Sequence, residues 1–198
     1  MFTGIITDMG TILSCDASGG DVVIRVGTSY DTASIKLGES IACNGCCLTV
    51  IDKTADAFDV QLSTETLRCT AGDWAVGDVL NLECALKLGD DLSGHFVTGH
   101  VDGVAVVSAI APSGDSHVVT FTCPPELTKF IAPKGSITLS GVSLTVNQAQ
   151  GNEFTVNLIP HSWAHTNFSG LQAGSEVNLE VDVLARYVVN AMDQRVAT

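Results

Sequence analysis

Residues 40–50 read SIACNGCCLTV, and residues 136–146 read SITLSGVSLTV. Ser40, Ile41, Gly45, Leu48, Thr49 and Val50 recur as Ser136, Ile137, Gly141, Leu144, Thr145 and Val146. Downstream the register holds, since Phe58, Val60 and Leu62 recur as Phe154, Val156 and Leu158. After one inserted residue, Gly77 and Asn81-Leu82-Glu83 recur as Gly174 and Asn178-Leu179-Glu180. Upstream, Thr3-Gly4-Ile5-Ile6 is echoed by Thr98-Gly99-His100-Val101. A repeat fixes the architecture before any motif is weighed, and this chain reads as a duplication.

The two copies divide the chain at 1–88 and 89–183, with the Gly-, Asp- and Ser-bearing stretch 87–94 as the linker. Within each copy the signal is β: Val22-Val23-Ile24-Arg25-Val26, Val104-Ala105-Val106-Val107 and His117-Val118-Val119-Thr120-Phe121 are short and rich in branched residues. Asn44-Gly45 and Ser140-Gly141 sit between such runs as hairpin turns do. Short helical turns are expected over 30–36 and 125–131. Five or six short strands per copy point to a small closed barrel, which leaves no free sheet edge. Two barrels in tandem, all-β, use nearly the whole chain. The tail 184–198 belongs to neither copy. Its Leu184, Tyr187, Val188, Ala191 and Met192 fall on one face of a helix. A lone amphipathic helix is marginal by itself, so this one is expected to join chains in an oligomer.

Composition removes several function classes. Nine Lys and Arg against 22 Asp and Glu give a net charge of -13. A phosphate backbone is repelled by such a surface, so no nucleic-acid partner is expected; an anionic membrane surface is disfavoured for the same reason. No apolar run reaches the roughly 18 residues that span a bilayer, and the opening MFTGIITDMG lacks the pattern of a signal peptide. Seven Cys without secretory context suggest free thiols in a reducing cytoplasm.

Residues two apart on a strand share a face. Cys47 and Thr49 therefore point one way while Leu48 and Val50 point the other; Ser143 and Thr145 flank Leu144 in the same manner. A solvated outer face is the bland reading, but a polar pair repeated in both copies favours a pocket in each. Gln61 and Ser63 against Asn157 and Ile159 follow the same logic, so the chain is expected to hold paired cavities with similar but unequal linings. Sharper motifs fail. Cys43-Asn44-Gly45-Cys46 has the C-x-x-C spacing but falls on a hairpin turn rather than before a helix. His95 and His100 are poorly spaced for chelation, so no metal is expected. Phosphate-cradling loops are absent, and Gly141-Val142-Ser143 lacks the second glycine of a nucleophile elbow. The unequal positions are more telling. Cys47 aligns with Ser143, Ile5 with His100, Gly38 with Lys134 and Ala85 with Asp182. The second copy thus gains four side chains able to move protons or hold charge, although each alone has a bland reading, Asp182 as the cap of the terminal helix.

Together the opening Met1-Phe2-Thr3-Gly4-Ile5, the segment Asn44-Gly45-Cys46-Cys47-Leu48-Thr49-Val50, Glu65-Thr66-Leu67, Ser93-Gly94-His95, Gly99-His100, Gly141-Val142-Ser143-Leu144-Thr145-Val146 and Glu180-Val181-Asp182 resemble riboflavin synthase of the alpha chain type over essentially the whole chain. The resemblance implies two six-stranded antiparallel Greek-key barrels and a C-terminal α-helix, assembled as a cytoplasmic homotrimer. It implies a dismutation of two 6,7-dimethyl-8-ribityllumazine molecules without cofactor or metal. It also implies an active site between the N-terminal barrel of one subunit and the C-terminal barrel of the next. Carried over, the N-terminal pocket comprises Gly4, Ile5, Ile6, Cys47, Leu48, Thr49, Gln61, Leu62, Ser63, Thr64, Glu65 and Thr66, with Phe2 and Ser40 shaping it. The C-terminal pocket comprises Gly99, His100, Val101, Lys134, Ser143, Leu144, Thr145, Leu158, Ile159, Pro160, His161, Ser162 and Trp163. His100 and Ser143 are the candidates for proton handling, supported by Asp182 and Cys47. A non-catalytic lumazine- or flavin-binding carrier on the same duplicated barrel is the alternative.

Overall fold

Branched and aromatic residues alternate with polar ones in each copy, and the chain pairs these runs into sheets that close on themselves. The computed structural model describes residues 1–18 and 20–196; Ala197 and Thr198 of the expected terminal helix lie outside them. The first barrel contains β1 (Asp8–Ser18), β2 (Asp21–Gly27), β3 (Ser40–Cys43), β4 (Cys46–Lys53), β5 (Ala57–Leu62) and β6 (Val79–Cys84), ordered β1-β2-β5-β4-β3-β6. The second contains β7 (Gly103–Ser113), β8 (Ser116–Thr122), β9 (Ser136–Leu139), β10 (Val142–Gln150), β11 (Glu153–Leu158) and β12 (Glu176–Val181) in the equivalent closed order. All pairings are antiparallel, and the order is that of a Greek key. The duplication extends to irregularities. Bulges interrupt β1 after Ile12 and β7 after Val107, and β4 after Val50 and β10 after Val146. Such bulges bend strands at the corners of small barrels.

Each barrel fills with its own core. Ile24, Val26, Ile41, Leu48, Phe58, Val60 and Leu62 lie in the first, and Val119, Phe121, Ile137, Val146, Phe154, Val156 and Leu158 in the second. Two short helices were not expected from the sequence: α1 (Thr64–Cys69), capped by Ser63, and α2 (Pro160–Ala164), opened by Pro160 at its first turn. Residues 125–130 form the expected short 3-10 helix, whereas residues 30–36 make only turns. There Asp31 and Thr32 divert the chain, the Asp31 carboxylate accepting from Ala33 N–H and the Thr32 hydroxyl donating to the Ala55 carbonyl. The terminal helix α3 (Val183–Val196) touches its own barrel through Arg186 to Asp102 and Lys129 to Asp193. It leaves Leu184, Tyr187, Val188 and Met192 more than half exposed. No described helix is long and apolar enough to cross a membrane.

Asn44-Gly45 and Ser140-Gly141 take positive φ as tight hairpins require, and the two turns abut. A Cβ on Gly45 would lie 2.6 Å from the Gly141 backbone nitrogen. Asn81 donates through its Nδ2 to the Ser140 carbonyl at 2.9 Å, and Asn178 donates to the Asn44 carbonyl at 2.8 Å. Each barrel thus grips the other's hairpin. Gly45→Ala and Gly141→Ala each meet left-handed strain of about 1–2 kcal/mol plus a backbone clash. Each is expected to lower the thermal midpoint by several degrees in calorimetry; an unchanged midpoint would refute this packing.

Candidate functional site

The Thr-Gly arms that precede the barrels organise the site. A buried Glu83 carboxylate accepts from Thr3 N–H, Thr3 hydroxyl and Gly4 N–H at 2.7, 2.8 and 2.9 Å. Glu180 does the same for Thr98 N–H, Thr98 hydroxyl and Gly99 N–H at 2.7, 2.7 and 2.9 Å. Burial pushes both carboxyls above their ordinary range, against the pull of these donors. Sequence reading missed this role: the only signal was the recurrence of Asn-Leu-Glu, and a strand glutamate reads as solvated.

Held by its own barrel, each arm docks on the other. Ser143 N–H donates to the Gly4 carbonyl at 2.8 Å, and Cys47 N–H to the Gly99 carbonyl at 2.9 Å. Ile6 packs on the second core and Val101 on the first. Both glycines have a φ of +79°, and a Cβ would lie 2.6 Å from that of Ser143 or 2.5 Å from that of Cys47. This corrects the allotment drawn from the resemblance. Gly4 docks on Ser143 and Ile6 on the second core, while Gly99 docks on Cys47 and Val101 on the first core. The reason is that the repeat register aligns positions within copies and carries no information on which barrel an arm reaches. His100 is therefore not brought to Ser143; it is exposed, next in sequence to the glycine docked on Cys47.

The N-terminal cup is a cavity of about 310 Å³ lined by Cys47, Leu48, Thr49, Gln61, Ser63 and Thr66, with Asp21 and Ile51. Asp21, unforeseen, accepts from Gln61 Nε2 at 2.7 Å. Ser63 Oγ accepts from Thr66 N–H and caps α1, and Thr64 donates to the Gly20 carbonyl. Glu65 pairs with Arg68 at 2.6 Å, and that hydrogen bond holds its carboxyl down at about 2. Leu62 and Leu158 are wholly inside their cores and offer the cups backbone only; Phe2 is also fully buried, bridged to Val97 behind the Gly99 arm. Ser40, directly across from Thr49, is half-buried at the start of β3.

In the second copy Ser143 is half-buried, Leu144 packs on the core and Thr145 is exposed. Lys134 is exposed with φ of +68°, where the first copy has Gly38. A non-glycine residue in that region is uncommon and marks sites where position outweighs strain. Ile159, Pro160 and His161 are exposed around α2, and His161 stacks on His165. The Ser162 carbonyl accepts from Thr166, and Trp163 stacks on His117 with centroids 4.0 Å apart. Asp182 caps α3, accepting from Leu184 N–H at 2.9 Å. All seven cysteines are free, including Cys43 and Cys46 across their hairpin. No group of three His, Cys, Asp or Glu gathers as a metal site among the described residues.

Two closed barrels that exchange arms, with a cavity beside the Cys47 strand of the first, define a duplicated barrel protein. The lumazine binding domain matches residues 3–85 and 98–182. Riboflavin synthase of Brucella abortus (strain 2308) is 47% identical over 193 residues, covering 94% of this chain and 96% of the relative. That of Bacillus subtilis (strain 168) is 40% identical over 189 residues, covering 95% and 88%. The chain belongs to the riboflavin synthase family. A crystal structure of LumP complexed with riboflavin superposes with a TM-score of 0.84 at 27% identity, covering 91% of this chain and 99% of that one. LumP complexed with 6,7-dimethyl-8-(1'-D-ribityl) lumazine gives a TM-score of 0.82 at 26% identity over the same shares.

Glu180→Gln replaces an acceptor of three hydrogen bonds by a group that presents an N–H to donors. With bonds to charged groups contributing about 1.5–3 kcal/mol each, the thermal midpoint should fall by roughly 5–10 °C. A shift under about 1 °C would contradict the role given to this carboxylate.

Proposed function

We propose that this protein is a riboflavin synthase: it converts two molecules of 6,7-dimethyl-8-ribityllumazine into riboflavin and 5-amino-6-(D-ribitylamino)uracil. One lumazine gives up a four-carbon unit and the other receives it. The atoms of the two substrates equal those of the two products, so the reaction consumes no oxidant, reductant or group donor. The observation that carries the reading is the pair of arm-on-strand junctions, alike in backbone frame and unlike in the side chain each presents, Cys47 in one and Ser143 in the other. Identical substrates with unequal fates call for such a pair. Relatives named riboflavin synthase at 47% and 40% identity support it. The LumP complexes, at 27% and 26%, support the ligand class, lumazine or flavin, in the same fold. The higher identity to the synthases favours turnover over a carrier role.

In the proposed mechanism a lumazine loses a proton from its 7-methyl group, and the ring delocalises the carbanion. Because the ring already acidifies that methyl, the protein has mainly to orient the two heterocycles and stabilise charge. The second lumazine is attacked at C7, made electrophilic by addition of water, a ribityl hydroxyl or the Cys47 thiol. His100 beside Cys47 and Ser143 in the other cup are the proton-handling groups, and Lys134 offers a cation to the Ser143 side. Asp182 acts by capping α3 and by its charge. The chain works as a cytoplasmic homotrimer that joins through the exposed apolar face of α3 and sets the N-terminal cup of one subunit against the C-terminal cup of the next.

Mixing purified protein with the lumazine alone is expected to yield riboflavin fluorescence and an equal amount of the diaminouracil. Bound lumazine without conversion would overturn the reading in favour of a carrier. His100→Ala, Ser143→Ala and Cys47→Ser should each lower turnover; unchanged rates in all three would remove these assignments. In analytical ultracentrifugation the protein should sediment as three chains. Leu184→Glu with Val188→Glu should give single chains with little activity, whereas an active single chain would end the trimer proposal.

A further inference from the structure

Where the hairpins of the two barrels meet, the junction is built twice, and the two halves differ in what fills them. In both copies a threonine hydroxyl bonds back to the carbonyl four residues earlier, Thr70 to Thr66 and Thr166 to Ser162. In both, the next backbone N–H donates across to the other barrel's asparagine: Asn167 to Asn81 Oδ1 at 2.8 Å, and Ala71 to Asn178 Oδ1 at 2.6 Å. The hairpins agree as well, since Asn44 Oδ1 accepts from Asn81 N–H at 2.8 Å and Ser140 Oγ from Asn178 N–H at 3.3 Å. Ala71 is therefore the counterpart of Asn167, and Gly72 that of Phe168.

The symmetry breaks at these side chains. Asn167 lays its carboxamide into the junction: its Oδ1 accepts from Asn81 Nδ2 at 2.9 Å, and its Nδ2 donates to Asn44 Oδ1 and to the Val79 carbonyl, both at 3.0 Å. Ala71 has only a methyl to offer, and a Cβ built on Gly72 would meet nothing within 4 Å. On that side lies a cavity of about 410 Å³, whose wall includes Ala71, Trp74, Ser140, Leu171, Glu176 and Asn178. The groups that an amide would serve stand in this wall. Asn178 is 3% exposed; its Nδ2 donates to the Asn44 carbonyl at 2.8 Å, and its second N–H has no partner among the described residues. Ser140 Oγ corresponds to Asn44 Oδ1, and the Glu176 carbonyl to that of Val79. A buried donor left unmet is costly, so the wall is a template for an amide that the chain supplies on one side of the junction only.

We propose that this cavity binds a flat, neutral molecule ending in a primary carboxamide, the chemistry that Asn167 supplies on the other side. The ligand's carbonyl oxygen accepts from Asn178 Nδ2, and its amide nitrogen donates to Ser140 Oγ and to the Glu176 carbonyl. Trp74 and Leu171 flank its apolar body. The volume falls in the range of small-molecule pockets, about 300–1,000 Å³. A carboxylate does not replace the amide: it brings no donor for the Glu176 carbonyl, and it meets the exposed carboxylates of Asp78 and Glu176 at the rim. The site shares no lining residue with the cavity beside Cys47. It stands whether or not the chain turns over lumazine.

The test is calorimetric titration of the unmodified protein with nicotinamide, oxidised NAD and nicotinate. Nicotinamide and NAD carry the amide, and at least one should bind once per chain with a dissociation constant of about 1 mM or tighter, within reach of a ligand of that size. The tighter of the two tells a free amide from a dinucleotide as the source. Nicotinate, with a carboxylate in place of the amide, should bind at least about tenfold more weakly than nicotinamide, because the Asn178 and Glu176 groups are then mismatched. Ala71→Asn gives the first copy the side chain that the second already has. It should abolish binding and raise the thermal midpoint by a few degrees. No binding of nicotinamide or NAD at about 10 mM, equal binding of nicotinate, or unchanged binding by Ala71→Asn would overturn the proposal. Should Ala71→Asn lower the midpoint or fail to fold, a crystal of the unmodified protein soaked in nicotinamide decides: an amide against Asn178 Nδ2 supports the site, and its absence there overturns it.

Discussion

Glu83 and Glu180 hold the molecule in its working form. Each is a buried carboxylate that takes three donors from a Thr-Gly arm. Burying a charge is costly unless it is hydrogen-bonded, and here the arm supplies that compensation. An arm so fixed has one direction in which to continue, across the gap onto the strand of the neighbouring barrel. The carbonyls of Gly4 and Gly99 then take the N–H groups of Ser143 and Cys47. Cys47 lines the cavity of the first barrel, and Ser143 is its counterpart in the second. One electrostatic anchor per copy therefore sets the domain interface and the backbone frame of both candidate sites.

The same strapping explains why glycine occupies so many of the contacts. Gly4, Gly99, Gly45, Gly141 and Gly94 all stand where a Cβ would meet the other half of the molecule at 3.0 Å or less. Backbone-to-backbone approach is what lets two small barrels, each with its own core, pack closely without sharing a core. The third small cluster, Phe2, Ala42 and Val97, lies behind the arms.

The fold was legible in the sequence because its signals are local and were written twice. Asn44-Gly45 and Ser140-Gly141 gave the hairpins, the alternation through Cys47, Leu48, Thr49 and Val50 gave the faces, and the stripe of α3 gave the terminal helix. The short helices α1 and α2 escaped because six and five residues carry too little periodicity. Ser63 and Pro160 were their available cap signals. The helical turn expected over 30–36 lost to side-chain bonds of Asp31 and Thr32. The site was legible as a set of strand positions and illegible as an assembly. Which barrel an arm reaches is a tertiary fact, so His100 was grouped with Ser143 although its neighbour Gly99 docks on Cys47. His95 was visible as part of Ser93-Gly94-His95, but its partners lie far along the chain. Asp21 sits at the start of β2 with no pattern to mark it.

The exchange of arms is the claim on which this account stands, because it decides which groups surround each heterocycle. It is tested most directly by a crystal structure of the protein with a non-reacting lumazine analogue bound. The account predicts one analogue beside Cys47 in contact with the arm at Gly99, and a second beside Ser143 in contact with the arm at Gly4. An analogue beside Cys47 that touches the Gly4 arm, or one bound away from both strands, would contradict it.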